Sequence, residues 1–171
     1  MAAKAQPLGQ ALPAQLGSAR ILIIEARYYE EISRELLSGA IAELQAADAS
    51  FECLSVPGAL ELPLALAQAI KAGRIGASRA AARFDGCVAL GCVIRGETSH
   101  YDTVCRNANH WLMRLAVHHA IALGNGILTV ENKAQAMARA EGGRTGKGAD
   151  AVRACLALIG IARAFGREEA P

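Results

Sequence analysis

Short apolar runs alternate with longer amphipathic stretches along most of the chain. The first run, Arg20–Ala26 (RILIIEA), is of the kind a buried strand leaves. Beyond Tyr28 and Tyr29, the residues Ile32, Leu36, Leu37, Ala40, Ile41 and Leu44 recur at helical spacing with Glu and Arg between them. That spacing predicts an amphipathic helix packed on a sheet. Residues 51–56 read as a second strand, broken by Pro57-Gly58, because proline lacks the ladder N–H and glycine permits turns that other residues avoid. The helix predicted over 60–72 is apolar on nearly all sides, which implies burial on two faces, in the core or against another subunit. A small, basic surface connection over 73–83 leads to Gly86–Ile94 (GCVALGCVI), the continuous apolar run of a central parallel strand covered on both faces. From Tyr101 onward, Val104, Ala108, Trp111, Leu112, Leu115 and Ala116 fall on one helical face. Residues 126–130 (GILTV) read as a fourth strand, and Asn132 with Gln135 three residues later marks a capped helix start. A glycine-rich turn (Gly142, Gly143, Gly146, Gly148) precedes a last helix with Val152, Cys155, Leu156, Ile159 and Ala162 on its apolar face.

Strands alternating with helices imply an α/β fold: a four-stranded parallel sheet between two helical layers, a three-layer α/β/α sandwich. Right-handed crossovers leave the C-terminal ends of the strands as the ligand-binding rim. The segments Tyr28-Tyr29, Val56-Pro57-Gly58-Ala59 and Ile94-Arg95-Gly96-Glu97-Thr98 each follow a strand and so belong on that rim. Residues 1–17 lack periodicity and are expected to form a flexible arm, with 18–171 as one domain. The 171 residues, 53% hydrophobic and 20% charged, suit a single domain with a sizeable core.

Composition narrows the function classes. The 18 basic and 16 acidic residues nearly balance, and no basic run of five appears, so nothing calls for a nucleic acid or an anionic membrane. Any anion is bound locally. The five cysteines (Cys53, Cys87, Cys92, Cys105, Cys155) are odd in number and form no CxxC pair, which argues against a disulfide framework or a structural zinc. Gln6, Pro7, Gln10, Pro13 and Gln15 interrupt any signal-peptide core, and no apolar run approaches the roughly 20 residues of a membrane span. The chain therefore reads as cytosolic.

The segment Arg95-Gly96-Glu97-Thr98-Ser99-His100 lies between the central strand and a helix, where free backbone N–H groups and the helix dipole favour an anion. A phosphate could rest on Glu97 and Thr98 with the glutamate side chain turned away; alternatively, Thr98 or Ser99 merely caps the helix. His100 starts that helix, and an imidazole with an unperturbed pKa of about 6.5 suits proton shuttling. His110, His118 and His119 read as surface or packing residues, since no metal-ligand spacing joins them. Arg139 and Lys147 flank the glycine-rich turn and are either solvated charges or, respectively, a forked phosphate contact and a secondary electrostatic one. Tyr28 is a stacking platform for a flat heterocycle or a packing residue. Glu61 is favoured in the first turn of its helix with or without a ligand. These residues alone reach an α/β domain that binds a small phosphorylated or heterocyclic molecule.

The combination of Ala26-Arg27-Tyr28-Tyr29-Glu30-Glu31-Ile32, Val56-Pro57-Gly58-Ala59-Leu60-Glu61-Leu62-Pro63, Ala89 through His100, Asn125 through Asn132, and Ala138-Arg139-Ala140 with Lys147-Gly148 resembles the lumazine synthase family in content, order and spacing, from about Arg20 to Phe165. That resemblance implies a flavodoxin-like fold and a transferase of riboflavin biosynthesis. The reaction it implies is condensation of 5-amino-6-(D-ribitylamino)uracil with 3,4-dihydroxy-2-butanone 4-phosphate to 6,7-dimethyl-8-ribityllumazine, releasing phosphate and water, with no metal or organic cofactor. By position, it implies proton transfer by His100, phosphate binding by Arg139 and by the backbone of Glu97 and Thr98, and a positive charge near the phosphate from Lys147. Tyr28 falls where the family stacks an aromatic ring, Ala59, Leu60, Glu61, Cys92, Val93 and Ile94 where it lines the heterocycle and ribityl pocket, and Asn125 at another pocket position. It further implies a homopentamer with sites between neighbours, His100 from one subunit meeting Arg139 and Lys147 from the next; some relatives join twelve pentamers into an icosahedral shell. The sequence departs from the commonest pattern at Tyr28 (more usually phenylalanine or tryptophan), Tyr29 (commonly asparagine), Asn125 (often aromatic) and in the turn Gly142-Gly143-Arg144-Thr145, which the family implicates in assembly beyond the pentamer. Two of these departures, Tyr28 and Asn125, motivate the alternative of a flavin-binding or shell-forming paralogue with little catalysis.

Overall fold

The computed structural model describes residues 19–76 and 82–168. The arm expected over 1–17 and part of the connection expected over 73–83 lie outside the described residues. Four strands, β1 (Arg20–Ala26), β2 (Ser50–Val56), β3 (Gly86–Ile94) and β4 (Ala122–Val130), alternate with α1 (Glu30–Ala46), α2 (Glu61–Lys71) and α3 (His100–His118). Then follow α4 (Lys133–Ala140), a 3-10 turn over Gly143–Thr145 and α5 (Lys147–Glu168). The sheet has the order β2-β1-β3-β4 with every pair parallel, the predicted three-layer sandwich.

Strand pleating sends alternate residues into two cores. Ile21 and Ile23 of β1 with Val88 and Leu90 of β3 face α1, α4 and α5, whereas Leu22, Ile24, Cys87 and Ala89 face α2 and α3. Each fully buried isoleucine or leucine of this set stabilises the fold by about 1.5–3 kcal/mol relative to leaving it exposed. The chain runs one way across the sheet from β1 to β2 and the other way from β2 to β3 and β4, and the covering helix changes face accordingly, as a single crossover hand requires. The run read as a central strand is buried on both sides along all but its last residue.

Two expectations need correction. The fourth strand begins at Ala122, four residues before the predicted start, because Gly124 and Asn125 are poor strand formers by propensity and yet pair in register with Val88 and Ala89. Gly124 is there for clearance: a Cβ on it would stand 2.0 Å from the Ala151 carbonyl oxygen, so only glycine lets α5 lie this close to the sheet. Trp111, placed by periodicity on the buried face of α3, is 47% exposed, while Ala108, Leu112 and Ala116 carry that face. On α2, Leu62, Pro63 and Leu66 are buried but Leu64 is 63% exposed, so the second apolar face is uncovered within one chain. The predicted cap of α4 is present: Asn132 Oδ1 accepts from the Gln135 N–H at 2.9 Å, and Gln135 Oε1 accepts from the Glu131 N–H at 3.0 Å. None of the described helices is long and apolar enough to cross a membrane.

Candidate active site

The chain leaves β1 toward β2 on one side of the sheet and returns to β3 on the other, so the crevice beyond the ends of β1 and β3 is a topological switch point. A cavity of about 420 Å³ opens there. Three strand ends build its walls. After β1, Tyr28 stands 72% exposed and meets the half-buried Tyr29 edge-on, ring centroids 4.9 Å apart. Burial raises the Tyr29 hydroxyl above its usual pKa, so that ring stays a neutral phenol at neutral pH.

After β2, the Glu61 N–H donates to the Gly58 carbonyl at 3.2 Å and the Leu62 N–H to that of Ala59 at 3.3 Å, which curls Pro57 through Glu61 into the start of α2. A Cβ on Gly58 would come within 3.1 Å of Glu61 Oε2, so the carboxylate folds back over this turn on the pocket wall. From β3, Cys92 and Val93 form a buried floor with the half-buried Ile94. Burial, with Cys105 next, pushes the Cys92 thiol up to about 11, so it is a neutral apolar wall at physiological pH, not a nucleophile.

Beyond Ile94 the chain is exposed from Arg95 to His100. Ser99 makes no side-chain cap, and the Thr98 hydroxyl accepts from the His100 N–H at the long distance of 3.4 Å. Among the described residues the amides of Glu97 and Thr98 donate to no protein group. Unpaired N–H groups ahead of a 19-residue helix are the local ingredients of an anion site. His100, Thr98 and Gly96 line the cavity.

The structure thus brings Tyr28, Ala59, Leu60, Glu61, Cys92, Val93, Ile94, Thr98 and His100 to one cavity, with Glu97 in the adjoining loop. Three expected site residues stand elsewhere. Asn125 lies on the outer strand β4, its amide donating to Asn109 Oδ1 at 2.7 Å and its carbonyl accepting from the Ile127 N–H at 3.0 Å. Arg139 and Lys147 line a separate surface hollow of about 440 Å³ with Glu141, Gly142, Thr145 and Asp150. Arg139 donates to the Gln135 carbonyl at 3.0 Å and pairs with no carboxylate among the described residues, whereas Lys147 Nζ meets Asp150 Oδ2 at 2.7 Å. Hydrogen bonds from Lys147 and Arg153 hold the Asp150 carboxyl below its usual pKa. The sequence reading missed Tyr101 and Val104 in the cavity wall. Val104 was within reach of sequence reasoning, four residues on from His100 along α3 and three on from Tyr101.

The sequence pattern of the 6,7-dimethyl-8-ribityllumazine synthase family matches residues 18–163, which include every residue of both hollows. The chain belongs to that family. It is 50% identical over 146 residues to the 6,7-dimethyl-8-ribityllumazine synthase of Bartonella bacilliformis, covering 85% of this chain and 91% of that protein. The protein of the same name from Methylocella silvestris is 53% identical over 148 residues, 86% of this chain and 88% of its own. That of Methylorubrum populi is 48% identical over 155 residues, 91% and 89% respectively. A lumazine synthase domain therefore occupies nearly the whole described chain.

Proposed function

We infer that the protein condenses 5-amino-6-(D-ribitylamino)uracil with 3,4-dihydroxy-2-butanone 4-phosphate to 6,7-dimethyl-8-ribityllumazine, the step of riboflavin biosynthesis for which its family is named. The observation that carries this reading is the convergence of three separate motifs on one cavity at the switch point. That cavity has an exposed aromatic ring, an apolar floor, a carboxylate and an imidazole at its edge.

In this reading the heterocycle stacks on Tyr28 and lies on Ala59, Leu60, Cys92, Val93 and Ile94, and Glu61 accepts hydrogen bonds from the polar ribityl substrate. The amine of the pyrimidine adds to the ketone and water leaves to give an imine. A proton is then lost from carbon as phosphate departs with the bonding pair, and the ribitylamino nitrogen closes the second ring with loss of water. Each step moves a proton, which His100 supplies or accepts at the mouth of the cavity, while the amides of Glu97 and Thr98 receive the phosphate oxygens. Phosphate departure also needs a cation. None of the cavity's lining residues is a lysine or arginine, and Arg139 and Lys147 lie in the other hollow.

A second copy supplies the missing charge. We assign the assembly as a homopentamer in which the Arg139–Lys147 hollow and Asn125 of one subunit close the His100 cavity of the next, with positioning and charge as the protein's contribution. Five cysteines without a disulfide fit a reducing, cytoplasmic setting. The test follows lumazine absorbance when purified protein meets both substrates, beside a His100→Ala variant and the enzyme-free reaction. Turnover above background that falls about a hundredfold to ten-thousandfold in the variant is expected; no acceleration by the wild type would overturn the assignment.

A further inference from the structure

We propose that Arg95 is the positioning residue of this site: it touches neither cavity nor substrate and holds the His100 loop in the geometry that receives phosphate. The inference rests on the functional reading above. Arg95 does not line the cavity, yet it is the most heavily engaged residue of the loop. Its N–H donates to the Val130 carbonyl at 2.9 Å, extending the β3–β4 pairing by one step. Its Nε reaches both carboxylate oxygens of Glu131, at 2.8 and 3.1 Å, and its guanidinium lies 3.5 Å from Asp102 Oδ2. The guanidinium carbon sits 4.0 Å above the centre of the Tyr101 ring, cation over π-face, and Tyr101 is itself a wall of the cavity.

One side chain therefore joins the end of β4 to the first turn of α3, with the Glu97–His100 segment strung between. That segment has little else to hold it: Ser99 gives no cap, Thr98 makes one long contact and a Cβ on Gly96 would meet nothing within 4 Å. The anchor is firm, because the Glu131 N–H is bound by Gln135 beside the capped start of α4. Ion pairs this exposed add little to stability, so the arrangement is better explained by what it positions. Arginine is required for the purpose: lysine has neither the separate nitrogens that face Glu131 and Asp102 at once nor the flat face for Tyr101.

The experiment compares Arg95→Met, Arg95→Lys and Glu131→Gln with the wild type in steady-state kinetics, together with amide hydrogen exchange of residues 96–103 in the free protein. Arg95→Met should raise the KM for the phosphate substrate and lower kcat, by about tenfold to a hundredfold in combination, with the KM for the pyrimidine nearly unchanged. Arg95→Lys should recover part of the loss, and exchange over 96–103 should quicken in Arg95→Met. Glu131→Gln should cost little more when added to Arg95→Met than the methionine costs alone. Equal losses in both substrates' KM accompanied by a lowered melting temperature, or exchange that Arg95→Met leaves unchanged, would overturn the proposal. The exchange measurement stands whether or not the wild type turns over, so absent turnover would sink the functional reading while the brace is judged on exchange alone.

Discussion

Cys92 sets the character of the pocket floor by what it does not do. Its thiol is pushed up to about 11, chiefly by burial, and Cys155 to about 12 for the same reason, while Cys87 is raised well above the usual range. A group whose folded pKa is raised keeps its contribution below the unfolded thiol value of about 8.5 and loses it as pH climbs toward the folded one. The melting temperature should therefore hold steady across neutral pH and fall between about pH 9 and 11, less steeply in Cys92→Ala; an unaltered slope would remove that thiol from the account. Cys53 is exposed yet also pushed up to about 11 by burial and then by Glu25, so alkylation by iodoacetamide near neutral pH should be about a hundredfold slower than for free cysteine. Arg139 is the residue whose role depends most on phosphate. Arg139→Ala should chiefly raise the KM of the phosphate substrate, with Arg139→Lys between it and the wild type because charge survives and the fork does not; an unchanged KM would strip Arg139 of the role. Most of the cavity's lining positions were legible because each rim motif is contiguous and follows a strand. The Arg95 brace was not, since Glu131 and Asp102 belong to segments that only the folded sheet brings to it.

Among the elements, α5 shows how close packing places a side chain, here Lys147. A Cβ on Gly148 would lie 1.9 Å from the Leu36 carbonyl oxygen, so the start of α5, with Lys147, is pressed against α1 at a distance only glycine permits. Backbone, not a flexible side chain, is the obstacle, so Gly148→Ala should cost at least the roughly 1–3 kcal/mol typical of overpacking. It should also displace Lys147. Denaturant unfolding would register the cost; a variant as stable as the wild type would mean that α5 can retreat freely. The same region carries the nearly buried Glu43, which accepts from Arg144 at 2.9 Å and from Arg153 at 2.9 Å and so binds the turn before α5 to α1. Elements declared themselves in the sequence in proportion to how uniformly they are buried. β3, covered on both faces, left an unbroken apolar run, whereas the first half of β4 was hidden by Gly124 and Asn125, residues present for clearance and hydrogen bonding. Periodicity placed Trp111 inward because it reports apolar spacing and not what lies opposite.

For the molecule as a whole, one chain presents two separate hollows that the proposed assembly would join into one site. The imidazole, the free amides and the apolar floor gather at the strand ends, and the arginine and lysine line a different hollow. Leu64, Trp111, Met113 and Val117 stand exposed on α2 and α3, apolar surface that an assembled ring would cover. Sequence motifs singled out residues of both hollows but could not show that they lie apart, because spacing along a chain does not reveal which end of the sheet a helix returns to. Subunit mixing tests their union directly. His100→Ala and Arg139→Ala variants would be unfolded together, refolded in equal amounts and assayed with the phosphate substrate far below the raised KM of Arg139→Ala, where each alone is nearly inactive. If each site takes His100 from one subunit and Arg139 from its neighbour in a head-to-tail ring, random order leaves about a quarter of the junctions with both residues intact. Mixed rings should then recover about a quarter of wild-type turnover while either variant refolded alone recovers none. If both residues served the same subunit's site, every site in the mixture would lack one of them, and turnover would stay at the level of the single variants.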